Sequence, residues 1–485
     1  MVYVGGNDGM LHGFDADTGI EKLTYIPSQL YRGARLSKLT AADYGKPTNP
    51  HAYFVDGTPT IGDICADTCA GGTSWKTIIV GGLGGGGQGL YALDISKPEN
   101  FSETNASSIV LWEFKDTDDA DLGYTYSRPA ILRLCTSRDG SSTSIPKTCT
   151  SSKWVVVFGN GYNSTEVDDA YLTSTGRAAL FVLDANTGAL LRKIVYTGGG
   201  TPNGFANISP ADVDGDGIVD YTYAGDLFGN MVKFDLETTT TGSVAYTLYT
   251  ATDTSSVVQP ITSAPELYAH PNGGIMVLFG TGKYLEVADK TTSSQQTFYG
   301  IWDNGANVPT SPTRSNLQAQ LLINDSISAD GAIYSTSTRN AVDWDTKKGW
   351  YLDLTTSGGN PSERVVYDPQ ILGVILNFVT VVPSTDVCAY GGDSYDFLLD
   401  PITGGSLDYA AFTGVPAIDT ASSGRLFASR RLSTVGISPT GTTITVGRGS
   451  GYDYKGGSTG NIEKFGVTLK AAAGARLSWR EISTD

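Results

Sequence analysis

Between residues 212 and 220 the chain reads Asp-Val-Asp-Gly-Asp-Gly-Ile-Val-Asp, a spacing suited to holding a hard cation. The carboxylates of Asp212, Asp214, Asp216 and Asp220 take loop positions 1, 3, 5 and 9. Gly217 at position 6 permits the sharp turn that lets them converge, and Ile218 at position 7 offers its backbone carbonyl. The chemistry predicted is oxygen ligation of Ca2+. Like charges so close together repel one another, so a tightly wound loop and a bound cation imply each other. The pattern leaves the helix-loop-helix calcium motif at position 12, where Tyr223 replaces the bidentate Glu, so Asp220 is expected to close the cage. The competing reading, a plain acidic Asp-Gly turn, does not account for the regular spacing.

Other chemistry-bearing residues are sparser. Asp116, Asp118, Asp119 and Asp121 crowd together but lack a glycine turn, which favours a solvated acidic loop over a second cation site. His12, His51 and His270 show no ligand spacing with the cysteines, and neither a nucleophile elbow nor a Ser/His/Asp pattern is discernible. Cys65 with Cys69 and Cys135 with Cys149 form two local pairs in polar segments, predicting disulfides in an exported protein, while Cys388 stands alone.

The elements around the cation loop read as strands. Ile208-Ser209-Pro210-Ala211 before it and Tyr221-Thr222-Tyr223-Ala224 after it are β-rich, and the whole chain agrees. Its 485 residues include 60 Gly and 26 Tyr but only 4 Met, and long helical stretches are missing, so the fold class expected is all-β. A net charge of −17 argues against nucleic acid as a partner. The chain lacks an apolar run of the ~20 residues that membrane insertion needs.

One pattern recurs seven times: an apolar run ending in Gly, a Gly- or Asn-rich turn, then an alternating strand ending in Asp. Copies begin at Val2, Ile78, Val155, Tyr221, Met276, Gly391 and Thr443. Short strands announced by Pro59, Pro129, Pro210 and Pro265 precede four of them. About four strands per copy, none able to bury both faces alone, predict a seven-bladed β-propeller with long inter-strand insertions, forming a single domain over 1–485. The Ser/Thr/Gly-rich tracts near 160–175, 304–345 and 402–424 are expected to be surface loops, and Arg476–Ile482 is expected to be the outer strand of the seventh blade. Because Val2-Tyr3-Val4 opens inside a strand pattern, the chain is expected to be a fragment or mature portion of something longer.

Taken together, the opening Val2 to Asp15, the Asp121-Leu122-Gly123 segment before Arg128-Pro129, the cation loop with Tyr223 to Leu227, and Ser478-Trp479-Arg480-Glu481 resemble the C-terminal propeller of the PilY/PilC family. These are the adhesins associated with type IV pili. The resemblance implies the C-terminal domain of a longer secreted, extracellular protein, exported through the periplasm to the outer membrane or pilus tip. It implies contact with pilin or minor-pilin subunits and with a host or abiotic surface. Roles in pilus assembly and twitching, with calcium occupancy tied to extension and retraction, follow from the same likeness. Carried onto this chain, the ligands are Asp212, Asp214, Asp216 and Asp220 by side chain and Ile218 by its carbonyl. Asp214 adds a charge where such loops often carry Asn, and the Arg-Gly-Asp motif of some members does not occur. The repeat wording also resembles quinoprotein (PQQ-dependent) dehydrogenases, which makes an enzyme the alternative. Those enzymes carry adjacent cysteines that this sequence lacks, so the Asp-x-x-Thr-Gly segments at Asp15 and Asp184 read better as turns capped by the Asp side chain.

Overall fold

A computed structural model describes residues 1–470 apart from 67–73, 139–148, 166–173, 238–244, 306–310, 356–361, 387, 421–422 and 447–448. Extended runs are filled by Val, Ile, Tyr, Phe and Thr, and connections by Gly, Asn and Asp. β1 (Val2–Gly5), β2 (Leu11–Phe14) and β3 (Glu21–Tyr25) make a three-stranded sheet. β4 (Thr60–Cys65), β5 (Trp75–Gly82), β6 (Gly89–Asp94) and β7 (Val110–Lys115) form the next, in chain order. β8 (Ala130–Arg138), β9 (Cys149–Gly159), β10 (Ala179–Asp184) and β11 (Leu190–Val195) form a third. A fourth contains β12 (Phe205–Ala211), β13 (Tyr221–Asp226), β14 (Asn230–Asp235) and β15 (Ala245–Thr250).

Later sheets are less regular. The strands are β16 (Glu266–Ala269), β17 (Ile275–Gly280), β18 (Thr297–Asp303), β19 (Gln318–Gln320), β20 (Leu322–Ala329), β21 (Ala332–Ser337) and β22 (Gly349–Asp353). There follow β23 (Gln370–Leu372), β24 (Ile375–Pro383), β25 (Gly392–Leu399), β26 (Ile418–Thr420), β27 (Gly424–Leu426), β28 (Arg430–Leu432), β29 (Thr442–Thr445), β30 (Ser450–Gly456) and β31 (Ile462–Thr468). They give a five-stranded sheet β16-β17-β18-β22-β19 and a six-stranded sheet β20-β21-β28-β25-β24-β23, beside the hairpin β26-β27 and the three-stranded β29-β30-β31. The chain divides into two compact units, residues 1–226 with 233–245, and residues 227–232 with 246–485. Among the described residues no helix is long and apolar enough to cross a membrane.

Each proline-announced strand is present, as β4, β8, β12 and β16, and each pairs with the strand that follows it. The sixth copy departs from expectation. Gly392 opens β25, and the partner of β25 is β24, a nine-residue run buried along its whole length. A strand covered on both faces loses the alternation that marks half-buried ones, so the sequence pattern passed over it. Two tracts expected as surface loops are structured. Residues 304–345 supply β19, β20 and β21, and residues 402–424 place Leu407, Ala411, Phe412, Val415 and Ile418 in a buried cluster. Their Ser and Thr content masks an apolar residue at every few positions. Cys69 and Arg476–Ile482 lie outside the described residues.

The Asp-x-x-Thr-Gly segments are turns of one geometry. Asp15 Oδ1 accepts the N–H groups of Asp17 and Thr18, Asp184 Oδ1 those of Asn186 and Thr187, and Asp400 Oδ1 those of Ile402 and Thr403. Gly19, Gly188 and Gly404 each have φ of 71°, the left-handed conformation that favours glycine. Two of these glycines are covered by tryptophan. Trp112 on β7 lies over Gly188 and its Nε1–H donates to the Ala185 carbonyl at 2.9 Å; Trp350 on β22 lies over Gly404 and donates to the Pro401 carbonyl at 3.1 Å. A Cβ at Gly188 would meet Trp112 at 2.6 Å, so the indole needs the bare backbone. Trp112→Phe keeps an aromatic ring and removes the donor, leaving a buried carbonyl unpaired. It is expected to cost about 1–2 kcal/mol in chemical denaturation.

Candidate metal centre

β12 and β13 pair antiparallel with Ala211 opposite Tyr221, so residues 212–220 form the connection of a hairpin. The Asp220 N–H donates to the Ala211 carbonyl at 2.9 Å and closes its base. Ile218 and Val219 turn their side chains into the core, at 6% and 4% exposure, which anchors the C-terminal side of the loop. Gly215 and Gly217, at φ of 80° and 79°, make the bends. The aspartates organise the remaining backbone: Asp212 accepts the N–H groups of Gly215 (2.7 Å) and Gly217 (2.8 Å), Asp214 that of Asp216 (3.1 Å), and Asp216 that of Ile218 (2.8 Å).

This winding brings carboxylate oxygens of Asp212, Asp214 and Asp216 within 4.8 Å of one another. Oxygens around one Ca2+ stand ~2.3–2.6 Å from the ion, hence at most about 5 Å apart, so the donor set fits a hard cation in both spacing and chemistry. Asp220 and Ile218 border this trio. Asp220 is buried, its Oδ2 accepting the Val213 N–H at 2.8 Å while Oδ1 faces the Arg138 guanidinium at 3.9 Å. Burial, together with the Glu237, Asp214 and Asp212 carboxylates, pushes the Asp220 carboxyl up to about 7. Asp214 is raised for the same reasons, burial first and then the charges of Asp216 and Asp212. A divalent ion would relieve this accumulated repulsion.

Several residues around the loop carry no local sequence signal. Arg138, at the end of β8, donates from Nε to the Glu237 carbonyl at 3.1 Å and approaches Glu237 Oε1 at 3.5 Å. Tyr221 Oη donates to Glu237 Oε2 at 3.0 Å, Lys233 Nζ sits 4.0 Å from the centre of the Tyr221 ring, and the Val219 N–H donates to the Arg133 carbonyl at 2.9 Å. The Cys135–Cys149 disulfide is formed and ties β8 to β9 beside the loop, whereas Cys388 is a free, exposed thiol.

The second acidic cluster is only partly solvated: Asp118 is exposed, while Asp116 and Asp121 are buried. Lys193 Nζ lies 2.6 Å from Asp119 and 2.7 Å from Asp121, and Asp121 also accepts the Thr175 N–H and hydroxyl. Burial works against the charged Asp121, but Lys193 and Thr175 outweigh it and hold the carboxyl below its usual range. An ammonium supplies the positive charge there. His12 bridges Asp8 and Glu21, and His270 is buried against Trp302 and Trp344.

Residues 1–336 match a family model described as the PilY1 beta-propeller domain. A type IV pilus biogenesis factor, PilY1, of Pseudomonas aeruginosa is 38% identical over 453 residues, 85% of this chain and 35% of the relative. A PilY1 homologue of Xylella fastidiosa is 36% identical over 429 residues, 84% of this chain and 26% of the relative. The chain thus spans about a third or less of the curated relatives it matches. The crystal structure of the Pseudomonas aeruginosa PilY1 C-terminal domain superposes with a TM-score of 0.73 at 31% identity, covering 97% of this chain and 92% of that one. The fold is an all-β propeller, as the strand pattern led us to expect.

Proposed function

Because the chain belongs to the PilY1 beta-propeller domain family, we propose that it is the calcium-binding, non-enzymatic propeller of a type IV pilus-associated factor, built from seven repeated units. It acts outside the cell, at the pilus tip or outer membrane, after export through the periplasm. There it contacts pilin or minor-pilin subunits and a host or abiotic surface. It supports pilus assembly and the balance of extension and retraction behind twitching. The observation that carries the reading is the convergence of Asp212, Asp214 and Asp216 on a strand-joining loop, in a chain whose relatives are named as pilus biogenesis factors. Asp220 and the Ile218 carbonyl complete the ligand set. Bound calcium supplies charge neutralisation. The protein's own residues hold the loop to the sheet through the Asp220 N–H, the buried Ile218 and Val219, and the Arg133 carbonyl.

Calorimetric titration of Ca2+ into chelator-treated protein tests this reading, with saturable one-to-one binding expected. Absence of binding overturns the calcium assignment, and failure to retain any pilus subunit in a pull-down overturns the assembly role.

The raised Asp220 carboxyl fixes a pH dependence. Its folded value, about 7, lies above that of a free aspartate, so in the metal-free protein the ionised form costs stability as pH rises through that range. Calcium requires the ionised form. Binding below about pH 7 is therefore expected to release a proton and to weaken as pH falls. Titrations in buffers of different ionisation enthalpy read the proton directly, and equal apparent heats in all of them would contradict it.

A further inference from the structure

We infer that Arg138 is a built-in competitor of the bound cation, a positioning residue that acts through Asp220 to hold the divalent affinity of the loop below what its carboxylates alone would give. The inference rests on the proposed calcium site and concerns how that site is tuned. The guanidinium lies 3.9 Å from Asp220 Oδ1 and 3.5 Å from Glu237 Oε1, with a side chain only 11% exposed. Asp220 faces Arg138 with one oxygen and accepts the Val213 N–H with the other, so the carboxylate that would close the cage already stands beside a protein cation. A dication held by Asp212, Asp214 and Asp216 would share Asp220 with a fixed positive charge. At such range, in a partly buried site, two cations repel by more than they would in water.

Arg138 is poorly able to retreat. Its Nε–H is held by the Glu237 carbonyl, and its backbone stands opposite Cys149 in the β8–β9 register, where the Cys135–Cys149 disulfide closes the hairpin. Glu237 in turn takes the Tyr221 hydroxyl, and Lys233 lies over the Tyr221 ring, so the groups flanking the guanidinium are themselves fixed. The same arrangement has a use without metal. Arg138 offsets part of the repulsion between Asp220 and Glu237 when no ion is bound. The cost falls on affinity, because calcium must share Asp220 with a charge that stays in place. An exchangeable ion, and not a permanent structural one, is the result.

The sign of the effect separates this role from a merely structural one. If Arg138 only supported the hairpin, its loss would loosen the loop and weaken binding. As a competitor, its loss strengthens binding. Calcium titration of the chelator-treated full chain is expected to show about tenfold tighter binding for Arg138→Gln than for the natural protein. Arg138→Met is expected to repeat the gain with an apolar stem, and Arg138→Lys to stay within about twofold of the natural protein. Unchanged or weaker binding in both neutral variants, with the natural protein binding normally, overturns the inference and leaves the calcium assignment standing. No binding by the natural protein overturns both.

Discussion

Asp396→Ala is expected to cost about 3–5 kcal/mol, well beyond the loss expected of Trp112→Phe. Asp396 on β25, Arg431 on β28, Lys455 on β30 and Glu463 on β31 form a closed ring of four buried charges. Lys455 lies 2.5 Å from Asp396 and 3.2 Å from Glu463, and Arg431 lies 3.2 Å from Asp396 and 2.9 Å from Glu463. None of the four side chains is more than 5% exposed. The ring is balanced, two cations to two anions, so its desolvation is tolerable only while it stays complete. Removing Asp396 leaves Lys455 and Arg431 sharing one carboxylate with no water to take up the excess charge. Chemical denaturation checks this, and a loss below about 1 kcal/mol would mean that solvent reaches the ring. Within the ring, burial raises the Asp396 carboxyl, and it is Glu463 that predicts acid sensitivity. Burial raises the Glu463 carboxyl, but Arg431, Lys455 and the Ser433 hydroxyl outweigh it and hold it well below the usual range. Its contribution is therefore present at neutral pH and lost as pH falls below the ordinary carboxylate value.

Replacing Asp212 and Asp216 together with Ala is expected to lower calcium affinity on the order of 100-fold, about 2.8 kcal/mol at 1.4 kcal/mol per decade. Both belong to the converging trio, and Asp212 also accepts the N–H groups of both glycines that bend the loop. Either losing the ligands or removing the metal acts on a hairpin connection whose strands are held by their own ladder. Chelation is accordingly expected to speed hydrogen exchange across residues 208–226 and to leave β4–β7 and β8–β11 protected. Global unfolding of the metal-free protein would show that the ion supports far more than its own hairpin.

The wound turn at residues 212–220 was legible because its information is local. Four aspartates and two glycines within nine residues define the winding, and β-branched and aromatic flanks place it between strands. The proline-announced strands and the Asp-x-x-Thr-Gly turns were legible for the same reason, since each is a pattern a few residues long. What escaped is held by distant pairs. Arg138 reaches Asp220 only because β8 passes beside the hairpin, and Lys193 finds Asp119 and Asp121 from another strand of the chain. The four-charge ring draws on residues scattered from 396 to 463. β24 was hidden by its own burial, because the alternation that marks a strand vanishes when both faces are covered.

The two indoles over Gly188 and Gly404 bear on how such a chain can grow. In each case a tryptophan from the fourth strand of one sheet seats on the turn that ends the third strand of the next, and one hydrogen bond fixes its depth. Plug and socket add one directional contact to a joint whose bulk is apolar packing, since Trp112 and Trp350 each belong to a buried cluster shared by the two sheets they join. One indole outward and one bare glycine inward thus set the depth at which these two pairs of sheets meet, whatever the lengths of their loops. Gly19, with the same turn and nothing within 4 Å of where a Cβ would stand, is a socket of this gauge left open among the described residues. The depth of each of these joints is set by few atoms, which leaves the connections free to differ in length.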